Sequence, residues 1–82
     1  MENVVLPELG EEIDKAIVAH WHFKEGEYVA KDDDIVEMST DKATFNVSSP
    51  VAGVIRKIMI SEGQEARVGG VLAVIEPNTP NR

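Results

Sequence analysis

The stretch Glu37-Met38-Ser39-Thr40-Asp41-Lys42-Ala43-Thr44-Phe45-Asn46-Val47 decides the fold of this chain. On both sides of Asp41 and Lys42, apolar and polar residues alternate, which is typical of half-buried strands. The two residues between the runs have the spacing of a tight hairpin turn, and Asp favours such turns by bonding the local backbone. Lys is an unusual neighbour for it, because hairpin tips favour Gly or Asn. The stretch therefore predicts a hairpin with Lys42 held on its exposed tip.

Lys42 has two interpretations at this point. A lysine on a hairpin tip commonly serves only as a solvated charge that opposes aggregation. Alternatively, the tip presents the amine to a modifying enzyme, and lysine suits that role through its acylable amine and flexible four-carbon stem. The turn by itself leaves both interpretations open.

The composition is that of a small acidic globular domain. The 82 residues suffice for one domain, and a hydrophobic fraction of 43% argues against disorder. A net charge of −7 argues against binding to nucleic acid or to an anionic membrane, since both attract basic surfaces. The chain has no cysteine, which excludes a disulfide framework and a Cys-based metal site.

The sequence shows no signal for membrane insertion or secretion. No apolar run has the length of a membrane span, and the first residues lack the basic and apolar pattern of a signal peptide. Together with the lack of cysteine, this leads us to expect a cytoplasmic protein, or a protein of the mitochondrial matrix in a eukaryote.

Outward from the hairpin, period-two alternation and glycine or proline turns predict further short strands, and no window has apolar residues at helical spacing. The strand at 17–23 is expected to face the core with Ile17, Ala19, Trp21 and Phe23. The predicted strands are 4–6, 17–23, 28–29, 35–39, 44–47, 53–60, 66–68 and 71–75. Eight short strands with such turns predict an all-β sandwich or barrel.

His20 and His22 fall on the opposite, wetter face of the predicted strand 17–23. Two histidines at this spacing can ligate a metal, but a stable site needs further ligands. No third ligand stands at a recognisable spacing, so we predict no metal site.

The two halves of the chain resemble each other at an offset of 37 residues. At that offset Gly26 matches Gly63, and Glu25 matches Glu62. Two copies are too few for a solenoid, so we predict two interlocked halves related by a pseudo-two-fold axis. The position equivalent to Lys42 is Thr79, near the end of the chain. The repeat therefore predicts that the lysine turn lies opposite the chain ends.

Several motifs together carry a family resemblance, although each is weak by itself. They are Leu6-Pro7-Glu8-Leu9-Gly10-Glu11; the spacing of Trp21, Gly26 and Val29; Glu37 to Ala43; Ser49-Pro50-Val51-Ala52-Gly53-Val54-Ile55; and the spacing of Gly63, Val68-Gly69 and Leu72. In this order, the chain resembles the lipoyl domains of the acyltransferase (E2) components of 2-oxo acid dehydrogenase complexes. The resemblance implies a lipoyl domain over 1–76, followed at 77–82 by the start of an interdomain linker.

The resemblance implies a fold and an attachment site. The fold is a flattened β-barrel or sandwich of two four-stranded antiparallel sheets, with the lysine turn in one sheet and the termini in the other. The family's Asp-Lys-Ala motif falls on Asp41, Lys42 and Ala43, so lipoic acid would be attached covalently to Lys42. The family position before the acid of the turn is often Gly, but here it is Asp32. An Asp in a left-handed conformation is therefore expected there.

The resemblance also implies partners. Glu37, Thr40, Asp41 and Ala43 match the positions that the family uses near its lipoate ligase or lipoyl transferase. The loop of Leu9, Gly10, Glu11 and Glu12 matches the surface loop implicated in recognition by the decarboxylase (E1), although Glu12 replaces a frequent Gly. The lipoyl group on Lys42 would form a flexible arm that moves between E1, the E2 catalytic core and the dihydrolipoamide dehydrogenase (E3). The domain itself would catalyse nothing. No nucleic-acid or membrane partner is expected.

Four alternatives stand beside this interpretation. A biotinyl carrier has the same fold, but that family is similar to Met-Lys-Met around its lysine, where this chain has Asp41 and Ala43. The lipoyl carrier of glycine cleavage is longer. An unmodified β-sandwich adaptor would use its lysine only structurally. A small metallo-hydrolase would have to be built on His20 and His22.

Overall fold

The computed structural model describes residues 1–10 and 13–77, and this part of the chain contains eight strands. They are β1 (Glu2–Val5), β2 (Lys15–Trp21), β3 (Tyr28–Val29), β4 (Asp34–Ser39), β5 (Thr44–Ser48), β6 (Gly53–Ile58), β7 (Glu65–Arg67) and β8 (Val71–Pro77). The eight predicted strands are confirmed, with ends that differ by a few residues. No helix in the described ranges is long and apolar enough to cross a membrane.

The strands form two four-stranded antiparallel sheets. One sheet has the order β1-β8-β6-β3, and the other has the order β5-β4-β2-β7. Each sheet combines two strands from the first half of the sequence with two from the second, so neither half completes a sheet alone. The hairpin of β4 and β5 belongs to one sheet, whereas β1 and β8, which carry the described chain ends, belong to the other. The predicted all-β fold is confirmed.

The core between the sheets is aliphatic, as the scarcity of aromatic residues requires. Its fully buried members come from both sheets, and half-buried Trp21, Phe23 and Phe45 pack at its margin. The largest buried side chains are Leu6, Ile35, Met38, Ile55, Leu72 and Ile75. Burial of each such side chain contributes about 1.5–3 kcal/mol, so this small core is the main source of stability.

The sequence repeat appears in hydrogen bonds that join the two halves within each sheet. The Gly26 N–H donates to the Ile55 carbonyl at 2.7 Å, and the Gly63 N–H donates to the Val18 carbonyl at 2.8 Å. Both the donors and the acceptors differ by the repeat offset of 37. The two halves are therefore joined by equivalent hydrogen bonds, as a pseudo-two-fold axis requires.

Asp32 shows the same symmetry in its backbone. Its φ is 73°, and its equivalent, Gly69, has a φ of 85°. The Asp32 N–H donates to Ser49, and the Gly69 N–H donates to Leu6, both at 2.8 Å. The left-handed conformation predicted for Asp32 is confirmed, and the second half adopts it with a glycine, which has no steric cost there.

The predicted facing of β2 is wrong in its first half. Ile17 is 46% exposed, and Ala19 is exposed, whereas Ala16 and Val18 are buried. A register shift between Val18 and His20 is the reason, because an extra residue in a strand exchanges the faces of the side chains that follow.

Beyond this irregularity the predicted facing of β2 is correct. Trp21 and Phe23 pack against the core, and the Trp21 indole N–H donates to the Ile60 carbonyl at 2.8 Å. The alternation of the sequence therefore predicts which side chains face the core near the end of this strand, but not at its beginning.

At the other end of the domain, β8 runs to Pro77, which pairs with Gly53 of β6. The predicted domain end at residue 76 stays a prediction, and the predicted linker at 77–82 lies, beyond Pro77, outside the described residues. Gly53 allows this close pairing. A Cβ there would overlap the Glu76 carbonyl oxygen and lie 2.9 Å from Pro77 Cα.

We expect Gly53→Ala to lower the free energy of unfolding by about 2–3 kcal/mol, because the added methyl must push β6 and β8 apart. Gly63→Asn is the control: no atom lies within 4 Å of a Cβ there, and Asn tolerates its positive φ at a cost of about 1 kcal/mol. Denaturant melts measure both values. Equal losses at the two positions would contradict the close approach.

Candidate modification site

The hairpin of β4 and β5 is anchored by side chains in the core. Ser39 pairs with Thr44, and Met38 pairs with Phe45. Met38 and, further along β5, Val47 are buried. These pairs leave residues 40–43 as the tip of the hairpin, which places Lys42 where the sequence predicts it.

Thr40 closes the tip with its backbone and its side chain. Its N–H donates to the Ala43 carbonyl at 2.8 Å. Its Oγ1 accepts from the N–H of Lys42 at 3.2 Å and from the N–H of Ala43 at 3.1 Å. Among the described residues other than Gly, only Asp32 has a positive φ, so Asp41 and Lys42 do not use the left-handed conformations of an Asn-Gly tip.

Lys42 is exposed on this tip. Within the described ranges its Nζ has no carboxylate within 4.0 Å, whereas Lys15 pairs with Glu65 at 3.3 Å and Arg56 pairs with Glu76. The Lys42 amine is therefore accessible to solvent and is not held by an ion pair with any described residue.

The residues predicted to contact the ligase separate into two groups. Thr40, Asp41 and Ala43 surround Lys42 on the tip, with Asp41 and Ala43 exposed. Glu37 lies within β4 and pairs with Asn46, so it is about 10 Å from Thr40 along the strand. The structure thus brings three of the four to the lysine and leaves Glu37 on the body of the sheet.

An open cleft of about 560 Å³ lies beside the tip. It is lined by residues 13–17, residues 39–41 and Glu65. Ile17 contributes exposed apolar surface to this cleft, and Asp41 and Glu65 add acidic groups. The alternation of β2 predicts Ile17 in the core, so its place on the surface could not be found from that pattern. No signal in the sequence marks the shift that turns it outward.

The loop predicted to contact E1 leads into this cleft. Leu9 is half-buried and packs against the core, which matches a structural role for that side chain. Gly10 is exposed, and its carbonyl accepts from the Ile13 N–H at 3.3 Å. Glu11 and Glu12 lie outside the described residues. Ile13, the first described residue after this loop, lies on the wall of the cleft.

The two histidines are engaged with neighbouring side chains on the outer surface. His20 Nδ1 lies 3.2 Å from Glu62 Oε2, and His22 Nε2 lies 2.9 Å from Asn46 Oδ1. Across residues 1–10 and 13–77, no three His, Asp or Glu side chains are grouped so as to hold a metal ion.

Comparison with known families and proteins supports a carrier domain. The family model described as "Biotin-requiring enzyme", which covers biotin- and lipoyl-attachment domains, matches residues 2–75. The succinyltransferase component of the 2-oxoglutarate dehydrogenase complex of Bartonella vinsonii is 44% identical over 90% of this chain and 18% of its own length. The acetyltransferase component of the pyruvate dehydrogenase complex of Corynebacterium glutamicum is 41% identical over 89% of this chain and 11% of its own length. This chain thus spans less than a fifth of either relative.

A solved structure of similar size gives the same result. The lipoyl domain of the 2-oxoglutarate dehydrogenase complex from Azotobacter vinelandii superposes with a TM-score of 0.74 at 35% identity. The match covers 93% of this chain and 98% of that domain. The chain therefore belongs to the family of biotin- and lipoyl-attachment domains, and within it to the lipoyl carrier domains of the E2 components of 2-oxo acid dehydrogenase complexes.

Proposed function

We propose that Lys42 is the residue that carries a covalently attached lipoyl group, and that the domain catalyses no reaction itself. The observation that carries this proposal is the exposed Lys42 amine, without an ion-pair partner in the described ranges, on a tip whose backbone Thr40 holds. An amine in this setting fits amide formation with a lipoyl carboxyl group, because nothing in the described surroundings shields it.

When attached, the lipoyl group supplies a disulfide that accepts an acyl group together with reducing equivalents. The domain itself determines where the lipoyl group is attached and presented. The hairpin holds the attachment point beyond the edge of the sheet, and the four-carbon stem of Lys42 forms the first part of a flexible arm. The chain has no cysteine, so none of its own thiols can exchange with the ring.

We infer that the partners are a lipoate ligase or lipoyl transferase, the E1 decarboxylase, the E2 catalytic core and E3. A tether to the E2 core would raise the effective concentration of the arm to roughly millimolar. The relatives from Bartonella and Corynebacterium belong to complexes for different 2-oxo acids, so similarity does not select one of these acids. The expected cytoplasmic or matrix location stays a prediction.

Biotin is the second candidate for the group on Lys42, because the matching family model also covers biotin attachment. The neighbours Asp41 and Ala43 favour lipoate, since biotinyl carriers are similar to Met-Lys-Met at these positions. The two groups differ in mass, so one intact-mass spectrum separates them from each other and from an unmodified adaptor.

Expression in a host that makes both lipoate and biotin is expected to give a domain with one lipoyl mass increment. Lys42→Arg is expected to abolish this increment, because Arg keeps the charge but has no amine that can be acylated. Lys31→Arg, at another exposed turn, is the matched control and keeps the full increment. A lipoylated Lys42→Arg variant, or a biotin increment on the parent domain, would contradict the proposal.

Moving the lysine by one position tests whether its place on the tip matters. In Asp41→Lys combined with Lys42→Asp, the composition and net charge are unchanged, but the amine leaves the apex. Because neighbouring residues point in different directions from the backbone, we expect no lipoylation while the denaturant melt stays within about 0.5 kcal/mol. Intact mass and the melt measure this, and modification at the parent level would refute the positional requirement.

We propose that E1 contacts the cleft beside the tip as well as the loop of residues 9–12. Ile17 is the apolar part of this cleft, and it is exposed at 46% in a strand whose neighbours Ala16 and Val18 are buried. Glu65 on this cleft is paired with Lys15, but Asp14 and Asp41 leave the lining with a net negative charge, which favours a partner with a basic surface there.

Ile17→Thr is expected to lower the rate of reductive acylation by the cognate E1 about tenfold, because contact area is lost in the cleft while β propensity is kept. Tyr28→Thr is the control, since Tyr28 is 54% exposed on β3 of the other sheet. A panel of purified decarboxylases acting on the lipoylated domain identifies the 2-oxo acid in the same experiment. Equal rates for both variants would remove Ile17 from the contact surface.

A further inference from the structure

We propose that Thr40 is a positioning residue for lipoylation: its hydroxyl fixes the backbone of the tip so that the Lys42 amine is presented to the ligase in one place. This inference rests on the proposed attachment at Lys42. It assigns to Thr40 a role different from the one that the family resemblance implies, which is contact with the ligase.

The hydrogen bonds of Thr40 are all directed into the tip. Its Oγ1 accepts from the N–H groups of Lys42 and Ala43 at 3.2 and 3.1 Å, and it donates to the Ala43 carbonyl at 3.2 Å. A threonine hydroxyl has one donor and two acceptor sites. All three are used within the hairpin, so the hydroxyl has none left for a ligase.

The tip depends on this side chain because neither central residue is a Gly or Asn at positive φ, and the Asp41 side chain makes no hydrogen bond within the described ranges. Two-residue hairpin tips are commonly held by Gly or Asn at positive φ. Here Asp41 and Lys42 occupy those places, and neither has a positive φ. Instead, the Thr40 hydroxyl holds the turn by accepting hydrogen bonds from the backbone N–H groups of Lys42 and Ala43. Ser and Thr hydroxyls close other turns in the same way.

The internal repeat shows that this feature belongs to the lysine hairpin alone. The residue equivalent to Thr40 in the second half is Pro77, which has no hydroxyl and lies at the end of β8. The two halves share the hydrogen bonds that join them to each other, so common folding needs do not require a threonine at this position. The requirement arises where the chain turns back through the lysine.

Loss of the hydroxyl is expected to let the tip sample several conformations. The ligase then binds only the fraction of molecules with Lys42 correctly placed, and its apparent affinity falls by that fraction. We expect the KM for the domain to rise about tenfold, with kcat nearly unchanged, because the bound and correctly placed lysine reacts as before.

The test compares Thr40→Val, which keeps the shape but loses the hydroxyl, with Thr40→Ser, which keeps the hydroxyl. Thr44→Val is the matched control, because Thr44 is exposed next to the tip and its hydroxyl makes no hydrogen bond in the described part of the chain. A purified lipoate ligase gives KM and kcat for each variant. Amide hydrogen exchange at Lys42 and Ala43 reports the tip directly, without the ligase.

The expected result is a raised KM and faster exchange at Lys42 and Ala43 in Thr40→Val, with parent values in Thr40→Ser and Thr44→Val. Unchanged KM and exchange in Thr40→Val would overturn the proposal. So would a fall in kcat with unchanged exchange, because that pattern indicates direct contact with the ligase. If the parent domain is not lipoylated at all, attachment at Lys42 fails, whereas the exchange data still decide whether Thr40 holds the tip.

Discussion

The register of the β4–β5 hairpin is the constraint on which the rest of this structure depends. Met38 and Val47 are buried in the core, and Ser39 pairs with Thr44. A slip of one residue would turn both apolar side chains to solvent and bring polar neighbours into the core. Each misplaced side chain would forfeit about 1.5–3 kcal/mol of burial free energy, a large share of the stability of so small a domain. Core packing therefore decides which residue stands at the apex.

The two-fold repeat explains how a short chain supports the projecting β4–β5 hairpin. Equivalent hydrogen bonds join the halves, and each sheet combines two strands from each half. At the position where the first half turns back through Lys42, the second half has reached the end of β8 at Pro77. The apex and the last described strand therefore lie in different sheets. This arrangement keeps the lysine tip apart from the described chain ends.

Much of this organisation could be predicted from the sequence. The strands, the hairpin and the repeat follow from local alternation and from turn residues, whose effects act over a few positions. The outward turn of Ile17 could not be predicted, because it arises from a register shift that tertiary pairing imposes. The hydrogen bonds of the Thr40 hydroxyl could not be predicted either, because the presence of a threonine in a turn does not determine which backbone N–H groups its hydroxyl binds. The cleft combines residues far apart in the chain, so no local pattern indicates it.

Burial fixes the hairpin register, and we propose that this register makes Lys42 the attachment point. Solution NMR of the domain isolated from a lipoylating host tests both parts in one data set. We expect cross-strand contacts between the backbone protons of Ser39 and Thr44, and an additional amide proton that correlates with the side chain of Lys42. A shifted pairing of the two strands, or an acyl amide on any other lysine, would contradict this proposal.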